Sequence, residues 1–182
     1  MPFKFVRLKI SEVVSVEPKV FADDRGFFME TFKKPDFGQA GIAFSPVQEN
    51  HSRSNKNVLR GLHYQTEPFA QGKLVRVVRG RIYDVAVDMR KNSPTFSRWV
   101  GAELSEHNRL MLLVPRGFAH GFVSLEDGTE VVYLVDNDYS KSHEQGVIWN
   151  DSSIGIEWPN TNPLLSEKDM KWPILDKAVT FS

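Results

Sequence analysis

The chain has 182 residues, of which 41% are hydrophobic and 25% are charged, a composition typical of a globular protein rather than a disordered one. Its 23 Lys and Arg residues balance 23 Asp and Glu residues, which argues against nucleic acid or an anionic membrane surface as a partner. The absence of cysteine excludes structural disulfides, thiolate catalysis and Cys-ligated zinc.

No segment has the sequence features of a membrane span or an export signal. No apolar run approaches the ~20 residues needed to cross a bilayer. The N-terminal sequence MPFKFVRLKI alternates charged and apolar residues and lacks the apolar stretch of a signal peptide. We therefore expect a soluble cytoplasmic protein without membrane or nucleic acid partners. Because repeats and linkers are absent, residues 1–182 are predicted to form one domain.

Short strands dominate the predicted secondary structure between residues 73 and 139, and helix signals are weak. Turn sequences such as RG (79–80), NSP (92–94) and EDG (126–128) separate the apolar runs. In chain order, the predicted elements are a helix at 34–39, strands at 74–78, 81–89, 96–104, 110–114, 121–125 and 130–136, and a helix at 166–171. Many short strands at close spacing predict an all-β fold with a few short helices, and a jelly roll fits best.

Two of these segments alternate with a period of two, which assigns their side chains to opposite faces of a sheet. The two predicted faces of 81–89 are Tyr83, Val85, Val87 and Met89 on one side, and Ile82, Asp84, Ala86 and Asp88 on the other. In the segment 130–136, Tyr133 shares a face with Val131 and Val135.

Histidine is the first candidate for proton transfer, because its reference pKa of about 6.5 suits catalysis near neutral pH. His63 lies in LRGLHYQ, three residues after Arg60. His120 lies in PRGFAHGF, where one proline and two glycines predict a tight turn between strands. Each histidine, taken alone, is explained as well by a structural role as by catalysis. His107 and His143 lie in polar, turn-like sequences and are expected on the surface.

Three further residues have both a catalytic and a structural interpretation. Tyr133 is predicted in mid-strand, where core packing with one hydrogen bond is the simpler explanation. Lys73 opens an apolar strand, a common place for a surface lysine. The sequence Ser166-x-x-Asp169 resembles a capping box, so Asp169 could serve only as a helix cap.

Basic residues at strand ends and turns could together hold a diphosphate through charge-assisted hydrogen bonds. These residues are Arg25, Arg60, Lys73, Arg116 and Lys168. The spacing of these residues in the sequence does not establish that their side chains converge.

Several segments together resemble one enzyme family. They read FADDRGFFMETF (21–32), VQENHSRSNKNVLRGLHYQ (47–65), QGKLVRVVRGRIYDVAVDMRKNSPTF (71–96), VPRGFAHGFVSL (114–125), VIWND (147–151), IEWP (156–159) and LLSEKD (164–169). In order and chemistry they are similar to the dTDP-4-dehydrorhamnose 3,5-epimerases, nearly from end to end. The resemblance implies a cupin-like jelly roll (a double-stranded β-helix), a homodimer that shares strands between subunits, and no metal or other cofactor.

The same resemblance implies a substrate and a catalytic set. The family converts dTDP-4-dehydro-6-deoxy-D-glucose to dTDP-4-dehydro-β-L-rhamnose. His63 matches its base, Asp169 the carboxylate that orients this base, and Tyr133 its acid. Lys73 matches the lysine beside the 4-keto oxygen. The positions that match substrate contacts, some of them reaching the site of the partner, are Arg25, Phe28, Glu30, Gln48, Asn50, Arg60, Lys73, His120, Tyr139, Glu144 and Lys168.

Three different functions stay open beside the one that the resemblance implies. In LVDNDYSKSHEQ (134–145), Asp138 stands where many members have an aromatic residue, although Tyr139 is retained. An enzyme that inverts only one carbon of a related dTDP-4-keto sugar is therefore an alternative. A metal-dependent cupin would use His120, but YQ follows His63 where such enzymes have His-x-His. A non-catalytic sugar-binding module would leave the combination of His, Asp, Tyr and Lys unexplained.

Overall fold

Two antiparallel β-sheets face each other across the main hydrophobic core in a computed structural model that describes residues 2–182. The strands are β1 (Phe3–Arg7), β2 (Val14–Pro18), β3 (Val20–Asp23), β4 (Gly26–Met29), β5 (Gln48–Ser54), β6 (Leu59–Gln65), β7 (Lys73–Arg79), β8 (Arg81–Asp88), β9 (Trp99–Ser105), β10 (Met111–Val114), β11 (Phe118–Ser124), β12 (Thr129–Val135) and β13 (Glu144–Gly146). The helical segments are α1 (Lys34–Gln39) and 3₁₀ turns at Lys141–His143, Asp169–Lys171 and Leu175–Lys177.

The strand order identifies the topology. The first sheet has the order β1-β2-β10-β7-β12-β5 and the second has the order β13-β6-β11-β8-β9, while β3 and β4 form a separate hairpin. From β5 to β8 and again from β10 to β13, the chain crosses between the two sheets at every step. This alternation is that of a jelly roll. The predicted all-β, cupin-like jelly roll with a few short helices is confirmed.

Period-two alternation explains how the strands divide their side chains between the core and the outer surfaces. Ile82 and Ala86 of β8 pack between the two sheets. Val85 and Val87 point to the other side of the same strand, where they pack against residues of the C-terminal segment such as Trp158. The faces predicted for 81–89 are therefore confirmed.

The helical segments are short, and none in residues 2–182 is long and apolar enough to cross a bilayer. The predicted helix at 34–39 is confirmed as α1, which has Pro35 in its first turn and buries Phe37. The predicted helix at 166–171 is wrong in extent, because only a 3₁₀ turn forms at its end. Ser166 nevertheless acts as predicted for a cap, since its Oγ accepts a hydrogen bond from the backbone N–H of Asp169 at 3.1 Å.

Three predicted strand boundaries need correction. The strand predicted at 96–104 begins at Trp99, because Ser97 has a positive φ of 62° that interrupts an extended chain. The strand predicted from residue 110 begins at Met111, directly after Arg109 with a φ of 54°. The strand predicted at 121–125 begins at residue 118, since the turn is completed by Gly117 with a φ of 87°. His120 therefore lies within β11 and not on a tight turn.

Candidate active site

A cavity of about 510 Å³ opens between the facing sheets and is lined by residues from both. The first sheet contributes Ser52 from β5, Lys73 from β7 and Tyr133 from β12. The second sheet contributes Arg60 and His63 from β6, His120 and Phe122 from β11, and Glu144 from β13. The loop before the second 3₁₀ turn closes one side with Leu164, Leu165, Ser166, Lys168 and Asp169. The four predicted catalytic residues therefore share one cavity.

Tyr133 and His63 enter this cavity from opposite sheets. In the first sheet, Tyr133 is paired with Asn50 of β5 and with Val75 of β7, so these three side chains point to the same face. Lys73 lies two positions before Val75 on β7 and shares that face. In the second sheet, His63 is paired with His120. A ring-shaped substrate between the sheets would therefore have an imidazole on one side and a phenol on the other.

His63 and Asp169 form a hydrogen-bonded pair, with Nε2 and Oδ1 2.5 Å apart. The carboxylate is buried, and this burial raises the pKa of Asp169. The hydrogen bond from His63 and its charge outweigh burial, so the pKa of Asp169 is lowered overall. Asp169 is therefore ionised near neutral pH and holds the hydrogen on Nε2 of His63, which leaves Nδ1 available as a base.

Trp172 packs against the His63 side of this pair. Its indole ring meets the ring of His63 edge-on at a centroid distance of 6.0 Å. It also lies against the backbone of Gly146, where a Cβ atom would come within 2.4 Å of the indole. Close packing of this kind limits rotation of the imidazole and holds it towards the cavity.

His120 makes a second, similar pair with Asp84 of β8, in which Nε2 and Oδ1 are 2.6 Å apart. The side chain of Asp84 is fully buried and that of His120 is 7% exposed. The other carboxylate oxygen of Asp84, Oδ2, has no hydrogen-bond partner among the described residues. The role of Asp84 was missed from the sequence, although two aspartates, Asp84 and Asp88, on one face of a predicted strand were a signal that could have indicated buried polar partners.

Lys73 is partly buried at the start of β7. Burial lowers the pKa of Lys73 to about 8, against the opposing effect of the Asp84 and Glu144 carboxylates. In the part of the chain that the structure describes, its ammonium forms no ion pair within 4.0 Å. The ammonium is therefore free to interact with an oxygen atom of a bound molecule.

Burial has the opposite consequence for Tyr133. It raises the pKa of the phenol; Arg60 acts in the lowering direction and Glu144 in the raising direction. The phenol therefore keeps its proton throughout the neutral range and can donate it.

Glu144 and Lys168, which line the cavity, belong to a hydrogen-bonded network. Glu144 accepts hydrogen bonds from Lys168 at 2.5 Å and from the hydroxyl of Tyr139 at 2.9 Å. Burial raises the pKa of Glu144, but the hydrogen bonds from Lys168 and Tyr139 lower it overall. A second cavity of about 270 Å³ shares His63, Lys73, Tyr133 and Glu144 with the first and is also lined by Gln48 and Asn50. The predicted binding residues Gln48, Asn50, Arg60, Lys73, His120, Tyr139, Glu144 and Lys168 are thus brought together.

The remaining predicted binding residues lie elsewhere in this chain. Arg25 is at the tip of the β3–β4 hairpin, where it pairs with Asp23 at 2.6 Å. Phe28 is 64% exposed on the same hairpin, and Glu30 follows it near Lys33. Of the five basic residues whose convergence the sequence left open, Arg60, Lys73 and Lys168 line the cavity, whereas Arg25 and Arg116 do not. Arg116 instead binds Asp136 beside a different cavity.

Comparison with known proteins identifies one enzyme family. Residues 7–177 match the sequence model of a family described as dTDP-4-dehydrorhamnose 3,5-epimerase. The dTDP-4-dehydrorhamnose 3,5-epimerase of Shigella flexneri is 57% identical over 166 residues, which cover 91% of this chain and 92% of that protein.

Two solved structures are similar over nearly their whole length. The crystal structure of dTDP-4-dehydrorhamnose 3,5-epimerase from Sulfolobus tokodaii has a TM-score of 0.93 and 48% identity, covering 100% of both chains. The dTDP-6-deoxy-D-glucose-3,5-epimerase of Legionella pneumophila, solved in complex with dTDP-4-keto-L-rhamnose, has a TM-score of 0.93 and 41% identity, covering 96% of this chain and 94% of that one. The chain therefore belongs to the dTDP-4-dehydrorhamnose 3,5-epimerase family.

Proposed function

We propose that this protein is an isomerase that inverts C3 and C5 of dTDP-4-dehydro-6-deoxy-D-glucose to give dTDP-4-dehydro-β-L-rhamnose. The observation that carries the proposal is the placement of His63 and Tyr133 on facing sheets of one cavity, with Lys73 between the same walls. Inversion needs a base on one side of the sugar ring and an acid on the other. This arrangement supplies both.

The first step is removal of a proton from a carbon beside the 4-keto group. The hydrogens on C3 and C5 are acidic because the resulting carbanion is delocalised onto the C4 oxygen as an enolate. His63 accepts the proton at Nδ1, while Asp169 holds Nε2 and stabilises the positive ring that forms. Only a proton moves in this step, so the chemistry requires no hydride carrier.

Lys73 is placed to stabilise the enolate. The C4 oxygen gains negative charge as the proton leaves, and a nearby ammonium lowers the energy of this state more than that of the ketone. Loss of one such donor typically raises the barrier by ~2.7–4 kcal/mol. The partial burial of Lys73 strengthens the effect, because a less polar surrounding screens the charge less.

Tyr133 completes the inversion by donating its proton to the opposite face of the same carbon. The imidazolium of His63 then releases the abstracted proton to solvent, and the phenolate of Tyr133 takes one from solvent, before the next step. We assign the diphosphate of the substrate to Arg60 and Lys168, with His120 as a further contact. The rest of the nucleotide is assigned to residues of the second cavity, which are Gln48, Asn50, Tyr139 and Glu144. Arg25, Phe28 and Glu30 are assigned to the site of a second subunit.

The direct test is NMR of the nucleotide sugar incubated with the enzyme in D₂O. We expect deuterium at both C3 and C5 with the wild-type protein, and none with His63→Asn. His107→Asn is the matched control, because His107 is exposed and outside the cavity. Exchange at one carbon only would show that the enzyme inverts a single carbon of its substrate. No exchange with the wild-type protein would favour a sugar-binding module without catalytic activity. A metal-dependent cupin gains no support from the side chains, since residues 2–182 contain no group of three suitable ligands.

The proposed active form is a homodimer. Phe21, Phe27 and Phe28 of the β3–β4 hairpin are between 48% and 64% exposed, and β5 lies at an edge of the first sheet. An exposed aromatic hairpin and an open sheet edge are both features that a second subunit would cover. That residues 1–182 form one domain stays a prediction, which the core shared by the two sheets supports.

A further inference from the structure

The β3–β4 hairpin projects from the two main sheets and needs a contact that sets its direction. Its strands hydrogen-bond to each other and stand apart from both sheets, and every residue in them is exposed or half-buried. At its base, the backbone N–H of Lys19 donates to the carbonyl of Pro2 at 2.6 Å. A two-stranded hairpin is only marginally stable in water by itself. The path of this hairpin beyond its base therefore depends on contacts with the rest of the subunit.

One such contact joins Phe27 of β4 to Arg109, in the loop between β9 and β10. The central carbon of the guanidinium, Cζ, lies 4.4 Å from the centroid of the Phe27 ring, inside the ~6 Å range of a cation–π contact. Arg109 is half-buried, and its Nε atom is buried without a hydrogen-bond partner in residues 2–182. Removal of water strengthens a cation–π contact, so burial of the guanidinium favours its contact with the ring.

The loop that carries Arg109 is fixed by its own hydrogen bonds. The side chain of Asn108 accepts at Oδ1 from the backbone N–H groups of Ser105 and Leu110, both at 3.0 Å. The backbone N–H of Arg109 donates to the carbonyl of Ser105 at 2.9 Å, and Arg109 has a φ of 54°, in the left-handed region. Because these bonds define the backbone at residue 109, its side chain starts from a defined direction towards the hairpin.

Arg109 contacts one face of the hairpin, and the opposite face stays exposed. Phe27 is paired with Ala22, whereas Phe28 is paired with Phe21. Alternation along the strands therefore puts Phe27 on one face and the rings of Phe21 and Phe28, with centroids 6.4 Å apart, on the other. A contact that holds the Phe27 face against its own subunit turns the Phe28 face away from it.

We propose that Arg109 is a positioning residue: through Phe27, it holds the hairpin in the direction that brings Phe28 to the nucleotide bound by a second subunit. This inference rests on the proposed function, which assigns the hairpin to that site, and it adds a residue that lines neither cavity of its own subunit. The hairpin is assigned to the nucleotide and not to the reacting sugar, so its contacts contribute equally to the ground state and the transition state. Loss of the Arg109 contact should therefore weaken substrate binding and leave the chemical step unchanged.

Arg109→Ala tests the proposal through the separation of KM from kcat. We expect the KM of the nucleotide sugar and the Kd of dTDP to rise about tenfold, with kcat within about twofold of the wild-type value. Arg109→Lys keeps a cation above the ring and should recover most of the lost affinity. Arg98→Ala is the matched control, because Arg98 is exposed and lines neither cavity. Unchanged affinity for dTDP in the Arg109→Ala protein, or a loss confined to kcat, would overturn the proposal.

A double-mutant cycle tests whether Arg109 acts through Phe27. Phe27→Leu removes the aromatic ring and keeps an apolar side chain, so it should weaken dTDP binding as much as Arg109→Ala does. The double variant should bind dTDP no more weakly than either single variant, because both changes remove the same contact. Losses of affinity that multiply in the double variant would mean that the two residues act independently, against the proposal.

Hydrogen exchange of the ligand-free protein measures the order of the hairpin directly. In Arg109→Ala and in Phe27→Leu, the backbone amides of residues 20–29 should exchange faster than in the wild type, while those of β7 and β12 keep their rates. Unchanged rates in the hairpin of both variants would contradict the proposal. This readout needs no turnover, so it separates failure of the inference from failure of the proposed function, which would appear as absent deuterium incorporation into the sugar with the wild-type protein.

Discussion

Arg60 and His63 are three residues apart on β6, yet both side chains enter the same cavity. On a regular strand, residues with this spacing point to opposite faces. Arg60 is opposite Phe122 and His63 is opposite His120, so three steps along β6 match two along β11. The additional residue forms a β-bulge, which returns the second side chain to the cavity face.

The bulge depends on a glycine, which leads to the first prediction. Gly61 has a φ of 138°, and a Cβ atom there would lie 2.5 Å from the Cα of Gly121. Gly61→Ala should therefore cost about 1–3 kcal/mol of stability from backbone strain, with a further penalty from the contact. Urea denaturation measures the loss. Gly38→Ala in α1, where a Cβ meets nothing within 4 Å, is the control and should be neutral or slightly stabilising.

This bulge also shows what the sequence could and could not predict about the fold. Largely apolar runs identified β8 and β12, because those strands pack against hydrophobic side chains on both sides, and the period of two gave the face of Tyr133. Neither pattern identified β5, whose sequence QENHSRS is polar throughout since it lines the cavity and lies at an edge. Register across β6 and β11 is fixed by contacts between distant strands, and no local pattern encodes it.

For the site, local sequence indicated the candidate residues, and only the family resemblance implied that Asp169 orients His63. Asp169 and His63 are 106 residues apart in sequence and meet only because the loop before the 3₁₀ turn folds over β6. Arg116 was one of five basic residues that could have held a diphosphate, yet Asp136 binds it. A basic residue that binds a phosphate and one that pairs with a carboxylate of the protein have the same sequence context at a strand end. Only the tertiary structure distinguishes them.

Tyr133→Phe should separate proton removal from inversion. The base remains intact in this variant, so deuterium should still enter at C3 and C5, but the acid of the opposite face is lost. We expect inversion to slow by about 100-fold or more relative to exchange, as measured by NMR in D₂O. Tyr83→Phe is a suitable control, because Tyr83 packs on the outer face of the second sheet. Full inversion by the Tyr133→Phe protein would remove Tyr133 from its assigned role.

The lowered pKa of Lys73 predicts an alkaline limb in the activity profile. Burial lowers this pKa to about 8, whereas burial raises that of Tyr133. The enolate needs the charged ammonium, so kcat should fall as the pH rises through about 8. Arginine keeps its positive charge at high pH, so the kcat of the Lys73→Arg variant should no longer fall as the pH rises through about 8. Initial rates between pH 6 and 10 test this, and an unchanged limb in the variant would assign it to another group.

Asp88 predicts a separate effect of pH on stability. Burial raises its pKa, but hydrogen bonds from Arg90, Ser93 and Thr95 lower it overall to about 2 from 3.8. A lowered carboxyl pKa stabilises the fold above the unfolded value and loses this effect as the pH falls towards the folded value. The shift corresponds to about 2 kcal/mol.

Asp88→Asn should therefore reduce the unfolding free energy by about 2 kcal/mol at pH 7, and the difference from wild type should shrink between pH 4 and pH 2. Urea titrations at each pH provide the measurement. Asp24→Asn, at an exposed aspartate, should change neither the unfolding free energy at pH 7 nor its dependence on pH. A difference that stays constant down to pH 2 would mean that the contribution of Asp88 is steric and not electrostatic.

The exposed hairpin gives the last prediction, which concerns assembly. Phe28 is 64% exposed, and an aromatic side chain of this kind at the centre of an interface commonly contributes 2 kcal/mol or more. Phe28→Asp places a charge there and should weaken the dimer by at least about 30-fold, which sedimentation equilibrium would detect as an increased monomer fraction. Phe28→Tyr retains the ring and should stay dimeric. Because Arg25 and Glu30 lie on or beside the same hairpin, the Phe28→Asp monomer should also bind dTDP more weakly. Unchanged dTDP affinity in that monomer would show that each subunit binds the nucleotide with its own residues alone.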